Sequence, residues 1–377
     1  MLDRRTAFLV LNMLPGIGPG RTRCLLEIFG SPEAALAAPL GELCCIHGIG
    51  EKLAPVISQW YRYCNPEAEL RLAYAAGVSI VQPQDDAYPP LLRNIHDPPV
   101  CLYVHGNLAA LRNTEMAIAI VGSRAATNYG RKVASMLAEG ACQAGWPVVS
   151  GLARGIDTAA HDATLRFGGI TLAVIGSGLS SVYPKENQGL AAAIADRGGA
   201  VLSEFPMRYQ PDKRSFPMRN RIISGICQGT IVVEAGVKSG SLITAAQALE
   251  QGRTVFAVPG MVDSPFARGC HALIRDGATL VESFQDVVNE FTLLPGLDPP
   301  PEQSQAHPLP PPDPKELGLA GLEAQIWQLL CQGYSTIDGL IDATGNDPSC
   351  IMAALVTLEL RRLIRRMPGS RIEIGGR

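Results

Sequence analysis

"MAIAIVGSR" (Met116–Arg124) is an apolar run that stops at a glycine and passes, through "AATNYG", into helical spacing. A strand with one wet face alternates apolar and polar residues, whereas a run without alternation fits a strand buried on both faces. The same pattern recurs in "WPVVSG" (146–151), "ITLAVIGSG" (170–178), "AVLSEF" (200–205), "TIVVEAG" (230–236) and "TVFAVPG" (254–260). Helical patterns lie between them: "NYGRKVASMLAEGACQAG", "IDTAAHDATLRFG", "NQGLAAAIADRGG" and "SLITAAQALEQG". Strand, glycine loop and helix in repetition predict an α/β, Rossmann-like, doubly wound and mostly parallel sheet. Ligands of such sheets bind at the carboxyl ends of the strands, where these glycine loops fall.

Outward from this region the pattern changes. Residues 1–65 read as a helical domain in which "LPGIGPGRTRCLLEIFG" and "IHGIGEKLAPVI" form a weak repeat of hydrophobic-Gly-x-Gly hairpins. Such hairpins expose amides to a phosphate, as in helix-hairpin-helix modules, or simply make tight turns between helices. Residues 66–294 hold the α/β domain and its N-terminal extension, "GVSIVQPQDDAYPPLLRNIHDPPVCLYVHGN", with a strand-like run on either side of a Pro-rich turn. Nine prolines between Pro295 and Pro314 mark 295–315 as an extended linker. Residues 316–377 read as three short helices and a hairpin, the layout of a winged helix.

The net charge is −3, so any nucleic-acid site must come from local charge rather than from a polycationic chain. Ten scattered cysteines, with no C-x-x-C pair and no zinc-finger spacing, read as buried thiols of a reducing cytosol. No apolar window approaches a membrane span and the N-terminus lacks a signal-peptide pattern, so a cytoplasmic protein without membrane insertion is expected.

Three loops carry candidate chemistry. Gly122, Ser123 and Arg124 end the first strand with amides and a guanidinium suited to a phosphate. Gly240 and Ser241 open a helix beside Lys238, a second anion site. Neither a G-x-G-x-x-G fingerprint at the first turn nor a G-x-x-x-x-G-K-[ST] loop is present, which disfavours dinucleotide binding and P-loop NTP hydrolysis. Asp157 and His161 share a helix face; they fit an acid-base or metal pair, or a loop-orienting carboxylate beside a structural histidine.

The third loop is "SFPMRNRIISG" (215–225). From Phe205 to Gly225 there are five basic residues, Arg208, Lys213, Arg214, Arg219 and Arg221, against a single acid, Asp212. Tyr209 and Phe216 interleave with them and offer stacking faces for unpaired bases, which a duplex hides. A buried Glu234 in "TIVVEAG" needs a partner, and one arginine of "RNR" is the natural candidate, leaving the other for ligand.

Read together, "AIVGSRAATNYG", "VVSGLARGIDTAAH", "LAVIGSGLSSVYPKEN", "LSEFP", "FPMRNRIISG", "VVEAGVKSGSLITAAQALEQGRTVFAVPG" and "LIRDGA" resemble, in order, the DprA (Smf) family of natural transformation. The resemblance implies a single-stranded DNA-binding protein without catalytic residues, cofactor or metal. It also implies that the protein protects incoming DNA, loads the RecA recombinase and dimerises through the Rossmann-like domain. Carried over by position, Arg124, Lys213, Phe216, Arg219, Asn220, Arg221, Lys238 and Lys185 would line the strand's path. Gly122, Ser123, Gly240 and Ser241 supply backbone near phosphate. Ser180 stands where the family's "GxGxD" pattern often carries an acid.

The competing enzyme class is a lysine-decarboxylase-like phosphoribohydrolase, whose "PGGxGTxxE" motif is replaced here by "EAGVKSGSLITA". A winged-helix regulator, the third class, would read duplex DNA through residues 316–377, yet "NDPSCIMAALVTLEL" has no Lys or Arg to do so.

Overall fold

A computed structural model of the chain describes residues 2–292, 314, 319–331, 336–361, 363–367 and 371–374. They divide into two compact units, Met1–Pro300 and Pro301–Arg377.

The first unit is built on a nine-stranded sheet. Its strands are β1 (Val78–Val81), β2 (Leu102–Gly106), β3 (Ile118–Val121), β4 (Val148–Ser150), β5 (Thr171–Val174), β6 (Ala200–Ser203), β7 (Gly229–Val232), β8 (Thr254–Ala257) and β9 (Thr279–Leu280). The spatial order is β1-β2-β6-β5-β4-β3-β7-β8-β9. From β6 to β9 every pairing is parallel, while β1 and β2 add antiparallel at the β6 edge. The six apolar runs are β3 to β8.

Both faces of these strands are buried, which is why their residues do not alternate with polar ones. Ile118 and Ile120 of β3 pack into one core with Phe256 and Leu137, whereas Ala119 and Val121 pack into the other with Val174 and Ile222. The chain steps outward from β3 through β4 and β5 to β6, then returns to the other side of β3 as β7. That reversal leaves a crevice at the carboxyl ends of the central strands, the place where open α/β sheets bind ligands.

Six α-helices precede β1: Arg4–Met13, Pro19–Phe29, Pro32–Ala37, Leu40–Cys44, Gly50–Ser58 and Pro66–Ala75. Asp3, Ser31 and Asn65 accept backbone N–H groups at three of their N-termini, and proline occupies the first turn after Ser31 and Asn65. The first five surround their own core of Val10, Leu11, Leu25, Leu43, Ala54 and Ile57. The two Gly-x-Gly hairpins are stapled together by Arg21, which donates to the carbonyls of Gly16 and Gly48, both at 2.7 Å. Gly16 has φ +81°, the left-handed turn that its hairpin needs.

In the second unit the helices Gly321–Cys331, Ile337–Thr344 and Pro348–Leu360 and an antiparallel pair, Ile364–Met367 with Arg371–Ile374, enclose Ile326, Trp327, Leu340, Leu355 and Ile372. This is the expected winged helix; the hairpin's Pro-Gly turn and the proline-rich stretch, Pro314 apart, lie outside the described residues.

Candidate functional site

The Ser215–Ile226 helix packs on β4 and β5 and reaches the carboxyl ends of both strands. Its entry turn is fixed by Asp212, whose carboxylate accepts the N–H groups of Arg214 at 2.6 Å and Ser215 at 2.9 Å. Those bonds, that from Ser215 first, hold the Asp212 carboxyl below its ordinary pKa.

A cleft of about 430 Å³ opens between this helix, the loop after β3, the loop after β4 and the start of the Gly240–Glu250 helix. Gly122, Arg124, Lys213, Phe216, Arg219, Asn220, Gly240 and Ser241 all line it. Segments more than a hundred residues apart thus meet at one place, the reversal point of the sheet.

The wall is aromatic and the rim cationic. The Arg124 guanidinium lies over the Phe216 ring, 5.2 Å from its centroid, and the Tyr183 ring packs tilted against Phe216 with the two centroids 5.8 Å apart. Arg124 and Lys213 are exposed, Phe216 is half-buried and Tyr183 is 44% exposed. Tyr183 is not among the residues that the sequence points to, since in "VYPKEN" the charge of Lys185 is the visible signal and the contact of Tyr183 with Phe216 is long-range.

The floor is different in kind. Arg219 is 5% exposed and donates to the carbonyl oxygens of Gly151 and Val174 and, at 3.1 Å, to Asn220 Oδ1. It clips together the ends of β4 and β5. Burial, helped by the positive field of Arg124 and opposed by Asp157, lowers its pKa to about 10, still far above neutrality, so the floor is charged. Asn220 extends the clip by donating to the Gly240 carbonyl at 3.3 Å. Asp157 accepts the amides of Gly151 at 3.1 Å and Ala153 at 3.3 Å, and burial raises its carboxyl pKa against the pull of Arg219.

The expected arginine partner for Glu234 is not found. Arg221 makes a two-pronged ion pair with Glu204, at 2.9 and 2.6 Å, and stands outside the cleft lining. Glu234 instead takes the Thr127 N–H at 2.9 Å and the Thr127 hydroxyl, which anchors the loop after β3 to the end of β7. The reason is topological: β3 and β7 are neighbours, so the two loops meet directly.

The backbone cradle is also narrower than the sequence suggests. The Ser123 amide donates to the Glu234 carbonyl at 2.7 Å, and the Ser241 amide is capped by Ser239 Oγ at 3.4 Å. Lys185 and Lys238 are exposed and do not line the cleft.

His161 is fully buried, with Nδ1 2.7 Å from Thr171 Oγ1. The Thr171 hydroxyl hydrogen goes to the Val148 carbonyl at 2.8 Å, so His161 Nδ1 is the donor to Thr171. Burial, then Arg219, pushes its pKa down to about 3, and the ring is a neutral structural strut. Among the described residues no group of three or more His, Cys, Asp or Glu side chains is placed to hold a metal ion, and no helix is long and apolar enough to cross a membrane.

The family model of the DNA recombination-mediator protein A matches residues 79–292, which include every residue of the cleft. The chain belongs to the DprA family. The DprA winged helix domain matches residues 310–370. Protein Smf of Escherichia coli is 37% identical over 296 residues, covering 78% of this chain and 77% of its own. Protein Smf of Synechocystis is 31% identical over 397 aligned residues, covering 97% of this chain and 98% of its own. The crystal structure of DprA from Streptococcus pneumoniae, at 38% identity, covers 77% of this chain and 99% of its own with a TM-score of 0.66. DprA of Helicobacter pylori, described for its unique mode of single-stranded DNA binding, covers 57% of this chain and 96% of its own at 28% identity, with a TM-score of 0.52.

Proposed function

We propose that this chain binds single-stranded DNA in the cleft, with a base against Phe216 and Tyr183 and the adjoining phosphates on Arg124 and Lys213. The observation that carries the reading is the Arg124–Phe216–Tyr183 assembly above a buried, charged Arg219. Stacking accepts any base, and its faces are available only in an unpaired strand. Lys238 and Lys185, exposed on neighbouring loops, extend the basic path beyond the cleft.

In this reading Arg219 and Asn220 shape the path, Arg221 braces their helix through Glu204, and Arg124, Lys213 and Phe216 touch the strand, while Gly122, Ser123, Gly240 and Ser241 bring backbone close to it. The protein works without turnover, cofactor or metal: it shields incoming strands in the cytoplasm and hands them to RecA during transformation or recombination, as a homodimer formed through the Rossmann-like domain. The DprA name of the Streptococcus protein and the single-strand binding of the Helicobacter protein support it.

Filter binding of oligo-dT tests the reading. Phe216→Ala should lose about 1–3 kcal/mol, roughly 5- to 150-fold in affinity, at every base composition. Affinity unchanged in both Phe216→Ala and Arg124→Ala would overturn it, and release of free base from nucleoside monophosphates would overturn the absence of turnover.

A further inference from the structure

The aromatic wall of the cleft hangs from residues 205–209, the segment that leaves β6. The Met207 carbonyl accepts the Ser180 N–H and the Tyr209 carbonyl accepts the Gly178 N–H, both at 2.9 Å, which ties this segment to the loop that carries Tyr183. The two backbones run so close that a Cβ on Gly178 would lie 2.1 Å from the Pro206 carbonyl oxygen. On the other side, Tyr209 stacks on Phe205 with centroids 4.5 Å apart and donates its hydroxyl to Asp212 at 2.9 Å. Asp212 in turn fixes the turn into Phe216. Tyr183 and Phe216 therefore share one anchor.

That anchor is held by the helices that precede β1. Met207 is buried, and its side chain packs with Leu9 and Ala73 of those helices and with Tyr103 of β2. Its N–H donates to Glu69 Oε1 at 2.7 Å. Asn12 adds a second tether by donating to the Glu204 carbonyl at 3.0 Å. Neither Glu69 nor Asn12 lines the cleft.

Glu69 is 8% exposed, and among the described residues no Lys, Arg or His side chain forms an ion pair with it. Burial, then the charge of Glu69, raises the pKa of the Tyr103 phenol, which places the carboxylate beside that ring. A carboxylate gives up water on burial, so an apolar side chain would fill the same space at lower cost. What the acid contributes is an acceptor where the helices meet the segment behind the cleft wall. We propose that Glu69 is a positioning residue for strand binding: through Met207 it sets the placement of Tyr183 and Phe216. The helices before β1 then contribute to affinity without touching the strand. This rests on the strand being bound by stacking on those two rings.

Filter binding of oligo-dT to the full-length protein tests it, in the wild-type background and in one lacking both rings, Tyr183→Ala with Phe216→Ala. Glu69→Ala should weaken binding about tenfold in the wild-type background and less than about twofold where the rings are gone, because coupled residues are not additive. Glu69→Gln keeps an oxygen for the Met207 N–H and should restore affinity to within about threefold of the wild type. Asn12→Ala, a change at a half-buried position, carries the same test if Glu69→Ala does not fold; it should cost about threefold in the first background and nothing in the second. If the double ring variant binds like the wild type, the stacking assignment of the cleft fails. If that variant is weakened, the positioning role alone is overturned by any of three results: wild-type affinity in Glu69→Ala, the same loss in both backgrounds, or a Glu69→Gln as weak as Glu69→Ala.

Discussion

Arg219 and Arg221 stand two residues apart in one helix and do unlike things. Arg219 sits under the cleft and bonds to strand-end carbonyls, while Arg221 neutralises a buried Glu204 on another face. Removing Arg221 leaves the Glu204 carboxylate buried alone, so Arg221→Ala should cost about 3 kcal/mol of stability, read as a lower urea midpoint, with oligo-dT affinity of the folded protein little changed. His161 gives a pH prediction. Its folded pKa of about 3 lies below the ordinary value of 6.5, so between these values the unfolded chain binds the extra proton and stability falls as pH falls. The slope is up to about 1.4 kcal/mol per pH unit, and the difference in unfolding free energy between the wild type and His161→Gln should shrink from pH 7 to pH 4. A difference that stays constant across that range would contradict a neutral, buried ring. Composition showed that basic and aromatic residues cluster here. Partner choice did not show, because whether an arginine meets Glu204 or Glu234 depends on strand order, which spacing along the chain does not contain.

At the scale of elements, the loops after β3 and β4 explain why glycine recurs. A Cβ on Gly151 would lie 2.5 Å from the Arg219 guanidinium carbon, and one on Gly155, at φ +82°, 2.2 Å from the Ser123 carbonyl oxygen. Gly151→Ala should therefore displace Arg219, lowering both the melting temperature and oligo-dT affinity; a variant that melts with the wild type would show that the clip has room. Strands β3 to β8 were legible because both faces are buried, which leaves an uninterrupted apolar run in the sequence. β9 was not, since two residues, Thr279 and Leu280, are too few to show any period. β1 and β2 were legible as strands, yet their antiparallel place beside β6 is a long-range pairing that no local pattern encodes.

For the whole molecule, every residue lining the cleft belongs to the first compact unit. A chain ending at residue 294 should keep the oligo-dT affinity of the full chain within about threefold, whereas a loss of tenfold or more would give the winged helix a share in strand binding. Phosphate contacts release counterions, so affinity should fall with salt at about 0.7 log units per log unit of salt for each contact, and Arg124→Ala should flatten that slope by about one contact. The most direct measurement is filter binding of the full-length protein to oligo-dT and to duplex of equal length across a salt series, with Phe216→Ala alongside. The account predicts tighter binding of the single strand at each salt concentration and a loss in Phe216→Ala that salt does not alter, because stacking carries no counterions. Equal affinity for duplex and single strand, with Phe216→Ala matching the wild type, would contradict it.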